Sequence, residues 1–326
     1  MRDHLGRLMD LGTKGSGQTP YSRFGDGRLT LKGGVREILA TEMLEALGVP
    51  TSKTFSLIET GEALQRNDEP SPTRGAVLVR LSHSHIRIGS FQRLATLEDH
   101  DALKRLAAYA LEVYHNETPG EDAPVRLMHH VVNKTARLAA QFIMAGFVHG
   151  VLNSDNINIS GESFDYGPWR FAPTFNPGLT AAYFDESGLY AYGRQPEAIH
   201  WDVLQLAVSL LGIAEEDALV AELNRFGDVY QDAIGAAFCW RLGVVPFGDA
   251  RDHAMAVAFQ NALYASQLPL DQAWQDWRGG TATGYDEEAF AEFRTLISAY
   301  VPVPGAQAHD WWQEGKACSM IIDEVE

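Results

Sequence analysis

The hydrophobic positions divide the chain into a first part of mixed character and a second part that is mainly helical. Apolar residues recur at helical spacing from position 35 to position 47, and Gly48 and Pro50 then supply a stop signal. Two runs with strand character follow, at 54–58 and 76–81, and a polar loop separates them. This order of helix, strand and strand predicts a small mixed lobe over residues 1–95.

Helical periodicity dominates the remaining residues, 96–326, and predicts a mainly helical lobe. The segments with this pattern are 99–113, 130–145, 200–211, 219–226, 230–242, 254–263 and 287–299. The aromatic residues between positions 169 and 192 are expected to pack in the core, and residues 323–326 to form a solvated acidic tail. The fold class predicted from both parts is α+β.

Composition and charge narrow the classes of function. The chain has 326 residues, of which 45% are hydrophobic, enough for a substantial folded core. Its formal charge of -17 argues against binding to nucleic acid or to an anionic membrane, because both require a positive surface. The two cysteines, the lack of an apolar run of about 20 residues and the lack of a secretory leader predict a protein of the reducing cytoplasm.

The most informative motif lies at residues 149–156, which read H-G-V-L-N-S-D-N. Protein kinases carry H-x-D-x-x-x-x-N in their catalytic loop, where the Asp takes a proton and the Asn holds a metal ion. Here Val151 stands at the Asp position, and its apolar side chain cannot accept a proton. Asn156 keeps the metal-binding position, and Asp165 opens a D-Y-G sequence that is similar to the kinase D-F-G. The pattern predicts a nucleotide and metal site with altered chemistry.

Asn156 and Asp165 offer the hard oxygen ligands that Mg²⁺ prefers, with water and phosphate oxygens completing the octahedron. Asp155 adjoins this pair and is the candidate general base, because a carboxylate beside the metal can accept the proton of an attacking hydroxyl. The alternative for Asp155 is a purely structural role in which it caps the backbone of its own loop.

Three basic residues and one glutamate are candidates for phosphate binding. Lys14 lies beside Gly15 and Gly17, which suits a backbone that approaches phosphate oxygens, and Glu37 in the following helix can pair with it as in kinases. The alternatives are a glycine-rich surface turn and a solvated glutamate. Arg80 and Arg87 can grip phosphates with their planar forks, or they can be ordinary surface arginines.

Together these segments resemble the SelO family, also called YdiU, of kinase-like protein adenylyltransferases. The matching motifs fall between residues 11 and 211, at 14–28 (K-G-S-G-Q-T-P-Y-S-R-F-G-D-G-R), 36–37, 80–91, 149–168 and 188–196. Family members usually carry a further segment before the first of these motifs, including a nucleotide loop. The usual C-terminal region of the family is also not recognisable after Pro304. The resemblance therefore implies a form shortened at both ends.

The resemblance implies transfer of AMP from ATP to Ser, Thr or Tyr hydroxyls of proteins, with Mg²⁺ or Mn²⁺ as cofactor. It also implies a protein-kinase-like two-lobed fold, with a partial N-lobe over residues 1–95 and a helical C-lobe over 96–326. The roles that it implies are phosphate contacts for Lys14, Arg80 and Arg87, nucleotide contacts for Asp26 and Gly27, orientation of Lys14 by Glu37, base catalysis by Asp155, and metal binding by Asn156 and Asp165.

Two other classes of function stay open. A pseudokinase-like protein would bind nucleotide or a partner without transferring anything, which the short N-terminal part favours. A conventional kinase would transfer the γ-phosphate, and Val151 counts against it.

Overall fold

The structure is a computed structural model that describes residues 1–3, 6–20, 22, 25–67 and 69–325. Tyr21, Arg23 and Phe24 of the first motif and Glu326 of the expected tail lie outside the described residues. The fold is α+β, as predicted, and about 47% helical. It comprises two compact units. The first contains Met1–Val131, Asn153–Gly167 and Leu204–Leu219, and the second contains Val132–Leu152, Pro168–Val203 and Val220–Glu326.

The sheet of the first unit is built around one long strand. The strands are β1 (Asp10–Lys14), β2 (Leu29–Thr30), β3 (Lys53–Leu64) and β4 (Thr73–Ser82). β4 pairs antiparallel with each of the other three, so that Leu78 lies opposite both Lys14 of β1 and Leu57 of β3. The two strands predicted from β-forming residues are β3 and β4, each longer than expected. β1 was not predicted because its glycine and charged ends hide the alternation.

Helix α1 (Leu31–Ala46) confirms the first predicted helix and carries one polar residue inside. Thr30 caps its start by accepting the Gly33 N–H at 3.0 Å, and the chain leaves the helix at Gly48, whose φ is +71°. The buried face includes Glu37, which is only 1% exposed. A glutamate in this position requires a charged partner, because an unpaired buried carboxylate is strongly destabilising.

Helices complete the first unit. α2 (Ile88–Thr96) was not predicted, whereas α3 (His100–His115) lies within two residues of its prediction and begins after its cap, Asp99. Three boundaries between the two units fall within α4 (Ala123–Ala145), α5 (Gln195–Leu210) and α6 (Glu216–Asn224). Two more lie between Leu152 and Asn153 and between Gly167 and Pro168. The prediction placed the start of α4 at residue 130, seven residues late.

The second unit combines a two-stranded sheet with helices. Strands β5 (Phe147–His149) and β6 (Trp169–Phe171) pair antiparallel. The helices that follow are α7 (Phe226–Leu242), α8 (Ala250–Ser266), α9 (Leu270–Asp276), α10 (Ala291–Ile297) and α11 (Ile322–Val325). α9 was not predicted, and α11 includes residues 323–325 of the segment expected to form a solvated acidic tail. The core contains the rings of Phe238, Phe259 and Trp274. The centroid of the Trp274 ring lies 4.9 Å from that of each phenylalanine, and the two phenylalanine centroids are 6.3 Å apart.

The expectation that the aromatic residues between positions 169 and 192 pack in the core is confirmed only in part. Trp169 and Tyr192 are buried as predicted, but Tyr183 is 85% exposed, so the expectation of core packing is wrong for this residue. Cys239 and Cys318 are both free thiols, the first buried and the second exposed. Among the described residues, every helix is too short or too polar to cross a lipid bilayer.

Helices α7 and α8 pack closely enough to require a glycine. A Cβ on Gly235 of α7 would lie 2.7 Å from the Asp252 carbonyl carbon of α8, whereas one on Gly227 would meet no atom within 4 Å. We expect Gly235→Ala to lower the free energy of unfolding by about 1–3 kcal/mol through overpacking. Gly227→Ala, the matched control in the same helix, should leave it unchanged or raise it by up to about 1 kcal/mol. Urea denaturation measures both, and equal effects would contradict the close packing.

Candidate functional site

The predicted ion pair between Lys14 and Glu37 is present in the first unit. Lys14 ends β1 and places its Nζ in direct contact with Glu37 Oε2 of α1. Because the Glu37 side chain is buried, the alternative of a solvated helical glutamate is excluded. Burial alone would lower the pKa of Lys14, but the Glu37 and Asp165 carboxylates more than offset this and raise it. Lys14 is therefore a cation throughout the physiological pH range.

Three cations converge on the carboxylate of Asp165. Its Oδ1 lies 3.1 Å from Lys14 Nζ and 2.6 Å from Arg80 Nη1, and its Oδ2 lies 2.9 Å from Arg87 Nη2. Arg80 Nη1 also lies 3.3 Å from Glu37 Oε1. Three positive charges thus face two negative ones. The sequence predicted all five residues, and the structure brings them into one cluster, which we call the Asp165 cluster.

The environment of Asp165 fixes both its charge and its backbone. Burial would raise the pKa of this carboxyl, but Lys14, Arg80 and Arg87 together hold it well below its usual range. The residue has φ = +62°, in the left-handed region that few non-glycine residues occupy. Such conformations cost free energy and persist only where surrounding contacts impose them, which is common at functional sites. Here the three ion pairs supply those contacts.

Phe164 lies under both arginines of the cluster, a contact that the sequence analysis did not identify. The guanidinium carbons of Arg80 and Arg87 lie 4.8 Å and 5.0 Å from the centre of its buried ring. The ring of His85 contacts the Phe164 ring edge-on, with centroids 6.1 Å apart. Burial lowers the pKa of His85, and the positive charge of Arg80 lowers it further. Cation–π attraction to one ring therefore holds the two guanidiniums side by side. The available signal was an aromatic residue directly before the D-Y-G.

Asp155, the candidate base, lies against the beginning of α2. A Cβ on Gly89 would lie 2.2 Å from Asp155 Oδ1, so the carboxylate occupies space that only a glycine leaves open. The Gly89 N–H donates to the Ser154 carbonyl at 2.9 Å. Asn153 accepts the Asp155 N–H at 3.0 Å, so the side chain that turns this loop is that of Asn153. Gly89 is a second residue that sequence reasoning missed.

A relay of polar side chains fixes the same loop from its other side. The Ser154 hydroxyl donates to Gln92 Oε1 of α2, and Gln92 Nε2 donates to Gln205 Oε1 at 3.4 Å. Further along, the fully buried Asn158 donates to Ser84 O at 2.9 Å. Because one end of this loop is bonded to α2 and the other to the segment that follows β4, Asp155 sits on a constrained loop.

Asn156, the candidate metal ligand, lies in the turn that follows. Its N–H donates to the Asn153 carbonyl at 2.8 Å, and its carbonyl accepts from the Ser163 hydroxyl at 3.4 Å. Within the described ranges, no group of three or more His, Cys, Asp or Glu side chains could hold a metal ion. The candidate donor set is therefore one amide and one carboxylate.

Asp26 and Gly27 lie in the loop between β1 and β2. The Asp26 carboxylate accepts hydrogen bonds from the Arg28 N–H and from Arg66 Nη1, both at 2.9 Å. The bond from Arg28 lowers the pKa of Asp26 most, and the bond from Arg66 lowers it further. Gly27 has φ = +66°, and a Cβ there would lie 2.4 Å from the Gly17 carbonyl oxygen. The contacts that fix this pair thus belong to the loop and to Arg66. Their predicted nucleotide contact stays a prediction.

His149 and Val151 belong to the second unit, where the histidine organises its loop. The His149 Nδ1 accepts the backbone N–H of Val151 at 3.2 Å, and the backbone N–H of His149 donates to Gln195 Oε1 at 2.9 Å. Gln195 Nε2 in turn donates to the Phe147 carbonyl at 2.7 Å. These bonds are those of a residue that organises its loop.

The charge balance of the Asp165 cluster predicts a pH-dependent stability difference. Asp165→Asn leaves three buried or half-buried cations facing Glu37 alone, which should cost about 3 kcal/mol of unfolding free energy at pH 7. The pKa of Asp165 is lowered in the folded state, so its contribution is complete above the unfolded pKa of about 4 and is lost as the pH falls further. Urea denaturation of both proteins from pH 7 to pH 3 should show the difference shrinking only below about pH 4. A difference that is constant with pH would contradict the ion pairs.

Known proteins match this chain over most of its length. The sequence model of the family described as "Protein adenylyltransferase SelO" matches residues 1–299. A protein named Protein nucleotidyltransferase YdiU from Gloeobacter violaceus is 47% identical over 313 residues, which are 95% of this chain and 63% of that protein. Proteins of the same name from Synechococcus elongatus and Mycolicibacterium smegmatis are 49% and 38% identical, over 74% and 81% of this chain and 50% and 55% of their own lengths.

The chain thus spans between half and two thirds of the length of these curated relatives. The family match nevertheless includes every residue of the Asp165 cluster and the loop of Asp155 and Asn156. On the extent of this match and the identity of its relatives, the chain belongs to the SelO family of protein adenylyltransferases.

Proposed function

We propose that this protein transfers AMP from ATP to Ser, Thr or Tyr hydroxyls of other proteins, with Mg²⁺ or Mn²⁺ as cofactor. The observation that carries the proposal is the convergence of Lys14, Arg80 and Arg87 on one point. Protein kinases place a lysine that is paired with a helix glutamate against the phosphates, and arginine forks bind phosphate oxygens in many proteins. We place this chemistry on a kinase-like two-lobed fold, with residues 1–95 as the small lobe and 96–326 as the helical lobe.

The cluster is suited to phosphate because its cations already bind an oxyanion. The Asp165 carboxylate offers two oxygens to three cations, whereas a triphosphate offers more oxygens and a larger negative charge. Arg80 and Arg87 can form two parallel bonds to phosphate oxygens with their planar forks. The Phe164 ring holds both forks in place, so little side-chain entropy is lost when they bind.

The residues present fit a divalent cation that is bound together with the nucleotide. Asn156 and Asp165 are hard oxygen donors, and Mg²⁺ commonly takes only one or two protein ligands alongside phosphates and water. In the structure both Asp165 oxygens face cations, and the remaining lone pairs of these two oxygens would be the ones to take the metal ion. When bound, the metal ion would neutralise charge on the phosphates.

In the proposed reaction, the acceptor hydroxyl oxygen forms a bond to the α-phosphorus, and the bond from that phosphorus to the bridging oxygen of the pyrophosphate breaks. Pyrophosphate leaves, and the hydroxyl proton passes to the Asp155 carboxylate. Asp155 suits this role because its loop is fixed by Gly89 and Gln92. Val151, which stands where kinases have their base, has no atom that can take the proton.

The first test follows the label of ATP. With ATP labelled at the α-phosphate, the wild-type protein and a divalent cation should label protein acceptors, and with γ-labelled ATP they should not. Asp155→Asn should lower the transfer at least about 100-fold, because it removes the base, while ATP binding persists. Asp217→Asn, an exposed carboxylate of α6, is the matched control. Transfer of the γ-label would identify a conventional kinase. Binding of ATP without any transfer would identify a nucleotide-binding protein.

The second test concerns the arginines. Arg87→Ala removes a charged hydrogen-bond donor of the cluster and should weaken ATP binding about 10-fold to 100-fold, which corresponds to about 1.5–3 kcal/mol. Arg74→Ala is the control, because that arginine pairs with Glu59 on the exposed surface of the same sheet. Titration with a fluorescent ATP analogue gives both dissociation constants. Equal constants for the two variants would rule out phosphate binding at the Asp165 cluster.

A further inference from the structure

The chain of the second unit forms a compact loop between residues 177 and 193. The Gly193 N–H donates to the Pro177 carbonyl and the Tyr192 N–H to the Leu179 carbonyl, both at 2.9 Å, so the two ends of the loop are joined. Tyr192 is buried at this base, where its hydroxyl donates to the Ile143 carbonyl. A surface loop with joined ends and its own internal packing is an Ω-loop, a form that is frequently functional.

The far end of this 177–193 loop is held by one carboxylate. Asp185 accepts the Leu189 N–H at 2.7 Å and the Tyr190 N–H at 2.8 Å. Gly188, with φ = +65°, lies in the turn between Asp185 and Leu189. Arg194 Nη1 donates to the Gly188 carbonyl at 3.3 Å. The tip is therefore ordered before any partner binds, which lowers the entropic cost of association.

The ordered tip presents apolar side chains to solvent. Tyr183 is 85% exposed, Phe184 55% and Leu189 48%, and the two rings pack edge to face with centroids 5.3 Å apart. Exposing aromatic rings is unfavourable unless they are covered in a complex, and Tyr is enriched among the residues that dominate binding energy. The loop thus has a buried anchor at its base and an apolar face at its tip.

The charge of the tip selects the partner. Asp185 and Glu186 place two carboxylates beside the aromatic pair. Arg194, a basic side chain that contacts the loop, is itself paired with Glu197 at 3.2 Å. The tip is therefore acidic and apolar, on a chain whose formal charge is -17. A complementary surface carries basic and apolar side chains, and an anionic membrane would be repelled.

We propose that the tip of the 177–193 loop is the docking surface for the protein substrate, and that it binds a substrate segment rich in Lys or Arg and in apolar residues. The proposal rests on the proposed function for the nature of the partner. Tyr183 and Phe184 supply the apolar contact, and Glu186 supplies the charge that selects basic segments.

Binding is measured first without nucleotide, so that docking is separated from transfer. The probe is a short fluorescent peptide in which Lys and Leu surround one Thr, and the matched probe has Glu in place of each Lys. Fluorescence anisotropy should show the wild-type protein binding the Lys peptide and not the Glu peptide. The double variant Tyr183→Ser/Phe184→Ser should weaken this binding at least about tenfold, and Glu186→Lys should weaken it by a similar factor.

Two controls share the exposure of these residues but lie elsewhere. Trp240→Ser removes another half-exposed aromatic ring of the second unit, and Glu314→Lys reverses another exposed charge; neither should change the affinity for the peptide. Unchanged binding in the Tyr183→Ser/Phe184→Ser variant would overturn the proposal, as would equal binding of the two peptides or binding of neither. A wild-type dimer that this variant dissociates, detected by light scattering, would assign the tip to a second copy of the chain and also overturn it.

Transfer from α-labelled ATP to the Lys peptide separates the two proposals. The double variant should raise KM for the peptide about tenfold and leave the dissociation constant for ATP unchanged. Peptide binding without transfer by the wild-type protein would refute the transferase and leave the docking surface standing. Transfer with an unchanged KM in the variant would refute the docking surface and leave the transferase standing.

Discussion

The attraction between the Asp165 carboxylate and three cations joins parts of the first unit that are distant in sequence. Lys14 comes from β1, Arg80 from β4, and Arg87 from the segment before α2. Each of these groups would be costly to bury alone, since an unpaired charge in a half-buried site loses its hydration without compensation. The loop with Asp165, the sheet and α1 with Glu37 therefore depend on one another. The ion pairs also stabilise the left-handed backbone conformation of Asp165.

Much of the charged site could be predicted from the sequence because each residue belonged to a motif with a recognisable spacing. Lys14 followed by Glu37, and Asn156 followed by Asp165, are such spacings, and the structure confirms the contact of the first pair. Helix α1 was equally predictable, since its apolar period and the glycine at its end agree. Local patterns of this kind report local structure and the chemistry of single residues.

What could not be predicted depends on which segments pack together. Phe164 and Tyr183 are both aromatic residues within two positions of an aspartate, yet the first is buried under two arginines and the second is exposed. Nothing in the local sequence marked Gly89, and its importance comes from Asp155, 66 positions later in the chain. Composition and period carry no information about such pairs, because burial is decided by tertiary contacts rather than by residue type.

The cluster has one more positive than negative charge, whereas the chain as a whole is strongly anionic. At a distance, a nucleotide meets the field of the whole molecule and is repelled. At contact, it meets the cations and is attracted. Dissolved ions screen the long-range repulsion more completely than the short-range pairs, because they act over about 10 Å at moderate ionic strength. Raising the salt concentration should therefore speed the diffusional encounter of ATP with the protein, while the escape of bound ATP changes much less.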